Sequence, residues 1–380
     1  MHRTGIVDLG LHTGAAPYWL LSRMRKLAKS LLTILVNQYG PNGVLTKLAD
    51  PFWFQALSAV LGFDFDSSGV TPVTCAILKS AVVPDEHGLG VAGGKGKRSR
   101  MTPDEARVLG EMFGLSDARI DRLVYSSRMT AKVDNTAIQA GYPLYHHSLF
   151  VAETGNWAVV QQGMNVELKL ARRYHWLSRH VKSFVIEPHD AIVGERRHEN
   201  VLDMTSRISE KCRKTSLDLA ADLKSFKRLF YSIRRSDQRS LFKWIGKDVR
   251  ESPRIAHASF LPHQINWKAL ETAYNFSPKN YEEFLFIRGI GPATVRGLAL
   301  VSELVYGSPP SWRDPVKFSY AFGGKDGLPF PVDRKAMDEA IEVLKVSIKS
   351  TMEGNERLRA LERLRRFVPR TLDRNGSLGR

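Results

Sequence analysis

Cysteine is almost absent. Cys75 and Cys212 are the only two in 380 residues. They lie far apart and in no metal-ligand spacing, which argues against a disulfide framework or a thiolate zinc finger and makes a reducing cytoplasm the expected location. No apolar run is long enough to span a bilayer, and the N-terminal residues carry no charged-then-apolar signal pattern, so no membrane partner is expected. Acidic residues are the other shortage. The 39 Asp and Glu against 56 Lys and Arg leave a net charge of +17 and a pI of about 9.9. Such a balance favours a polyanionic partner through counterion release. Because the basic residues are spread along the chain rather than gathered in one terminal amphipathic segment, nucleic acid is favoured over an anionic membrane surface.

What is present is ordinary for a globular protein, with 43% hydrophobic and 25% charged residues. The expected fold class is α+β. A mixed α/β module over residues 1–200 carries a small sheet, a basic helical connector covers 201–276, a helical DNA-binding region covers 277–352, and a basic tail covers 353–380. Within the first module, the apolar stripe of Leu20, Met24, Leu27, Leu31 and Leu35 predicts a helix from about Tyr18 to Tyr39, ended by Gly40-Pro41-Asn42-Gly43. Asp50-Pro51 reads as a cap and a first helical residue, and residues 71–82 suit another helix. Glu153-Thr154-Gly155-Asn156, between the β-prone runs Ser148–Ala152 and Trp157–Gln161, predicts a hairpin.

Three stretches offer chemistry. Residues 88–100 combine glycines with Lys95, Lys97, Arg98 and Arg100, a loop suited to wrapping a phosphate with its amides and cations. It is not a Walker A loop, since Lys97 is followed by Arg98. Thr102-Pro103-Asp104-Glu105 then reads as a capping box.

From Lys132 to Asn165 polar groups are dense: Asp134, Asn135, Gln139, Tyr142, His146, His147, Gln161, Gln162 and Asn165. Beside a small sheet they must bond one another, water or a ligand. Glu167-x-Lys169 downstream of Asp134 has the arrangement of many metal-dependent nucleases. Asp134 and Glu167 would hold Mg²⁺ or Mn²⁺, and Lys169 would orient water or stabilise the phosphorane; the same residues can instead open a helix through Arg172, Arg173 and Trp176. The histidines also cluster, and His146, His147 and the pair His189-Asp190 are candidates for transition-metal ligation or catalysis.

The third stretch runs from Phe284 to Tyr306. Gly289 and Gly291 flank Ile290, so the backbone can turn sharply while Ile290 plugs the space between two helices. Pro292 sits at a first helical position, and Val295, Leu298, Val301, Ser302 and Val305 repeat at helical spacing. Amides at the second helix's start suit an anion. The stretch resembles the helix-hairpin-helix element, a sequence-tolerant binder of the DNA backbone. That resemblance implies contacts through Gly289, Ile290, Gly291, Thr294 and Arg296. Pro331-Val332-Asp333-Arg334 in turn resembles the end of the helix-hairpin-helix DNA glycosylases, which would make Asp333 the catalytic carboxylate of a monofunctional enzyme. Its spacing from Gly291 is longer than in those enzymes, Ala293 stands at the Schiff-base lysine position, and a helix N-cap is the plainer role for Asp333.

Blocks across most of the chain, among them Asp50-Pro51-Phe52-Trp53, Lys132-Val133-Asp134-Asn135, Tyr145-His146-His147 and residues 156–165, resemble an uncharacterised prokaryotic domain-of-unknown-function family. That resemblance implies one N-terminal module and no activity. Taken together, the expectation is a cytoplasmic DNA-binding protein of repair or recombination, working with other repair proteins. Its chemistry would be that of a metal-dependent nuclease, a glycosylase using Asp333, or none, in a purely structural factor.

Overall fold

A computed structural model describes residues 18–62, 68–194, 197–236, 260–316, 342–346, 348–349 and 359–362. The described part of the chain is α+β. Its centre is a five-stranded antiparallel sheet in the order β1-β3-β4-β5-β6, made by β1 (Leu89–Lys95), β3 (Leu144–Ala152), β4 (Trp157–Asn165), β5 (Leu170–Leu177) and β6 (Ala191–Val193). A second, two-stranded sheet pairs β2 (Ile138–Gln139) with β7 (Leu202–Asp203).

Helices cover both faces of the large sheet. Successive side chains of a strand point to opposite faces, and both sets here contribute apolar residues to a core. Phe150, Ala152, Ala158 and Val160 pack with Met24, Leu31 and Leu35 of α1 (Tyr18–Ala49) and with α2 (Pro51–Leu61) and α3 (Val70–Ala81). Leu149, Val151, Trp157, Val159 and Trp176 face the other way. They share a core with α5 (Thr102–Met112), α6 (Asp117–Lys132), α7 (Glu210–Ala221), α8 (Leu223–Ser236), α9 (Trp267–Phe276), α10 (Tyr281–Phe286) and α11 (Pro292–Tyr306). That core draws together described residues between Ala92 and Val316. Residues 342–346 and 348–349 are helical and return Leu344 and Ile348 to the α1–α3 layer.

Local signals work where they act within a few residues. Asp50 Oδ1 accepts the Phe52 and Trp53 amides at 2.8 and 3.1 Å and caps α2 as expected. The hairpin forms around Gly155, whose φ of 80° closes the turn. Gly40 breaks α1 with φ 67° and ψ 168°, but the helix resumes after it and runs on to Ala49.

Other expectations are corrected. The glycine-rich stretch is not a loop: most of it is strand β1, and only Gly96–Met101 turns out of the sheet, as a 3₁₀ helix. Glycine is needed at Gly93, where φ is 92° and a Cβ would lie 2.2 Å from the His147 carbonyl oxygen. The capping box does not form, because Glu105 reaches to the Gly93 amide at 2.6 Å and to Lys79 at 2.5 Å. Arg172 and Arg173 stand in β5, fully buried, and not on a helix. Arg172 pairs with Asp314 at 2.7 Å and Arg173 donates to Gln55 at 3.0 Å, as buried charges require. The tail residues beyond 362, and Asp333 with its expected helix start, lie outside the described residues.

Candidate functional site

α6 carries a mixed stripe. Ile120 and Leu123 are buried, and the same face continues as Ser127, Thr130 and, in the π-helical turn Val133–Ala137 that ends the helix, Asp134. Such wide turns often accompany functional sites. These polar groups lie against β3 and β4, where His147 and Gln161 are direct cross-strand partners.

The donors and acceptors there have only one consistent assignment. Trp176 Nε1, which can only donate, reaches Asp134 Oδ2 at 3.0 Å. Gln161 Nε2 lies at 3.1 Å from the Thr130 carbonyl oxygen and also bonds Asp134 Oδ2. Both are acceptors, so this nitrogen is the amide NH₂ and Gln161 Oε1 must face His147 Nδ1, 2.7 Å away. Nδ1 therefore carries hydrogen. Burial pushes the His147 pKa down to about 4, against smaller opposing effects of Gln161 and Asp134; the ring is neutral near pH 7 and Nε2 holds a lone pair. Ser127 Oγ, 3.0 Å from Nε2, is then the donor. His189 Nε2 completes the set on Asp134 Oδ1.

This chain of bonds ends at a cleft of about 560 Å³. The cleft is lined by Ser127 and Arg128 of α6, by His146 and His147 of β3, by Ser99 and Arg100 of the 3₁₀ turn, and by residues 289–292 of the glycine turn. Lys132 and Asn135 line it too, and no carboxylate does among the described residues. Asn135 Oδ1 accepts the Leu144 amide at 3.2 Å, which leaves the Asn135 NH₂ free to donate. His146 is also buried, and its Nδ1 has no partner among the described residues. Desolvation, with His147 and Lys95 nearby, brings its pKa down to about 3.

The turn between α10 and α11 is fixed from below. Lys132 Nζ donates to the Ile290 carbonyl and, at 3.5 Å, to that of Ile287; burial lowers its pKa. Asn266 Nδ2 donates to the Gly289 carbonyl at 3.3 Å. Ile290 is buried as expected. Gly289 has φ 91°, whereas Gly291 is extended at φ −121° and caps α11 without any side chain. Pro292, the first residue of α11, has no N–H to offer, but Gly289 and Gly291 line the cleft and their amides take no hydrogen bond among the described residues.

The residues proposed from sequence divide into groups. Gly289, Ile290, Gly291, Arg100, His146 and His147 come together at one cleft, although Arg100 and Gly291 are 191 positions apart in the numbering. Lys95, Lys97, Arg98 and Arg100 are exposed on the strand end and turn beside it and form no ion pair among the described residues. Thr294 and Arg296 do not line this cleft. Thr294 is buried and accepts the Asn266 amide at 3.3 Å, while Arg296 donates to Gln139 at 2.8 Å and has its pKa lowered by burial. Asp134 is buried and saturated by three donors. Glu167 and Lys169 sit in the exposed β4–β5 turn, and that turn begins four residues, about 13 Å, along β4 from Gln161. The structure does not bring this trio together. His189 and Asp190 turn to different partners, Asp134 and His180, and no cluster of three or more His, Cys, Asp or Glu suited to a metal occurs among the described residues.

Ser127, Thr130 and Lys132 were missed from the sequence. The available signal was the spacing of Ser127, Thr130 and Asp134, which continues the helical stripe of Ile120 and Leu123. No helix among the described residues is long and apolar enough to cross a membrane. No curated protein and no solved structure matches the chain. Residues 5–332 match the family described as protein of unknown function DUF763, and the chain belongs to that family.

Proposed function

We propose that this protein binds DNA through the sugar-phosphate backbone, seated in the cleft between the 3₁₀ turn, α6, β3 and the glycine turn, with little dependence on base sequence. One observation carries the reading: two backbone elements suited to phosphate, distant in sequence, meet at one cleft that has cations and the unbonded amides of Gly289 and Gly291 but, among the described residues, no carboxylate. Cationic side chains and helix N-termini are the groups that contact nucleic-acid phosphates. The net charge of +17 supplies the long-range attraction. A cytoplasmic setting accords with two buried free thiols, and a place in repair or recombination accords with sequence-tolerant backbone binding.

The test is fluorescence anisotropy with labelled duplex and single-stranded DNA across a salt series, comparing wild type with the triple variant Lys97→Ala, Arg98→Ala, Arg100→Ala. If each of these cations neutralises one phosphate, the slope of log K against log salt for duplex becomes shallower by about 0.9 per lost contact, or about 2.7 in all. An unchanged slope would remove this turn from the interface, and absence of binding by wild type at low salt would refute the reading.

A further inference from the structure

The bonding pattern that ends at the cleft floor is that of an activated nucleophile. A hydroxyl within hydrogen-bond reach of a neutral imidazole, with the imidazole's other nitrogen held by a third group, is the shared geometry of enzymes that use serine covalently. Here Ser127 Oγ lies 3.0 Å from His147 Nε2, and Gln161 Oε1 holds His147 Nδ1 at 2.7 Å. Gln161 is itself locked by Thr130 and Asp134, so the imidazole cannot exchange tautomers without breaking a bond further back. Ser127 and His147 are 1% and 4% exposed. Bulk water is kept from the pair, yet both line the cleft. The same cleft carries Arg100, Arg128, Lys132, the free Asn135 NH₂ and the Gly289 and Gly291 amides, which are donors and charges suited to a developing phosphorane. A buried network that only supported the fold would have no reason to end at these groups.

Resting on the DNA-backbone reading of the same cleft, we propose that Ser127 is a catalytic nucleophile toward a phosphodiester, with His147 as its general base and Gln161 and Asp134 as positioning residues. In the step, the Ser127 hydroxyl proton passes to His147 Nε2 as Oγ bonds to phosphorus. The phosphorus–oxygen bond to one nucleoside breaks, and the departing oxygen takes the proton back from His147. The strand is left attached to the protein as a phosphoseryl ester, with atoms and charge balanced and no metal or redox partner required. Water or the hydroxyl of a second strand end then reverses the chemistry at the same phosphorus.

The experiment uses the full chain with duplex oligonucleotides carrying a bridging 3′- or 5′-phosphorothiolate, whose thiolate leaving group does not religate. Covalent adducts are read on denaturing gels and mapped by peptide mass, and anisotropy is measured on the same samples. Wild type should form an adduct at Ser127 with one of the two substrates. Ser127→Ala should bind equally well and give at least about 100-fold less adduct, the loss expected when a nucleophile and its base are uncoupled. Ser126→Ala, one residue away and outside the relay, should match wild type. If Ser127→Ala lacks a folding transition, His147→Gln serves in its place with the same expectation. Binding by wild type without adduct on either substrate overturns the inference and leaves the DNA reading standing. An adduct that persists in Ser127→Ala or maps elsewhere also overturns the inference. Failure of wild type to bind overturns both.

Discussion

Asp134 is the test of whether the polar layer under the sheet is built as described. Its carboxylate is 1% exposed and accepts from Trp176 Nε1, Gln161 Nε2 and His189 Nε2. Asp134→Ala removes the acceptor and leaves three buried donors, each costing about 1–3 kcal/mol when unsatisfied, so at least about 3 kcal/mol of stability should be lost. That is a large share of the roughly 5–15 kcal/mol of a folded protein. Asp134→Asn is nearly isosteric. Its oxygen can still serve Trp176 and Gln161, and its NH₂ can face His189 if that ring moves its proton to Nδ1, so the cost should be nearer about 1 kcal/mol. Urea unfolding followed by far-UV circular dichroism measures both. An alanine variant within about 1 kcal/mol of wild type, or an asparagine variant as damaging as alanine, would refute the assigned bonding.

The two glycines of the cleft turn should behave differently. Gly289→Ala forces a side chain onto φ 91° and places its Cβ 3.0 Å from Ala269 and Asn266, whereas Gly291→Ala meets nothing closer than 3.9 Å; the first should lower stability by about 1–2 kcal/mol and the second by less than about 1, as read by thermal melts. Stability should also fall with acid. His146 and His147 have folded pKa values of about 3 and about 4 against 6.5 ordinarily, and burial also lowers His175. The unfolded chain binds their protons first, so stability is full above about pH 6.5 and declines as pH drops through the interval below it, by about 2 kcal/mol per histidine at pH 5. Urea midpoints at pH 7 and pH 5 check this, and His147→Gln should flatten the dependence by about one histidine's share; no change in slope would show that His147 is not buried neutral.

Much of the local architecture was legible. Asp50-Pro51 capped a helix, Glu153–Asn156 closed a hairpin, and Gly289-Ile290-Gly291-Pro292 joined two helices, because each signal acts through bonds within a few residues. Non-local signals were misread. Arg172 and Arg173 read as part of a helix because their partners, Asp314 and Gln55, lie 142 and 118 positions away. The glycines at 93 and 94 suggested a phosphate-wrapping loop, yet Gly93 is there because another strand's carbonyl passes where a side chain would be. Glu167 and Lys169 matched a spacing, but a turn carried them away from Asp134.

The sequence by itself determined the cationic balance, the α+β class, the caps and turns, and that polar residues crowd the stretch from Asp134 to Asn165. Periodicity told which residues share a face of one strand or helix. It could not tell which other element that face would meet. Only the tertiary structure decided that Ser127 stands against His147, that Gln161 and Asp134 lock it, and that the glycine turn closes over the same cleft as Arg100. Those contacts depend on the order of strands and the packing of α6 and α11 against them, which is set by burial of the whole apolar surface rather than by any neighbouring residue.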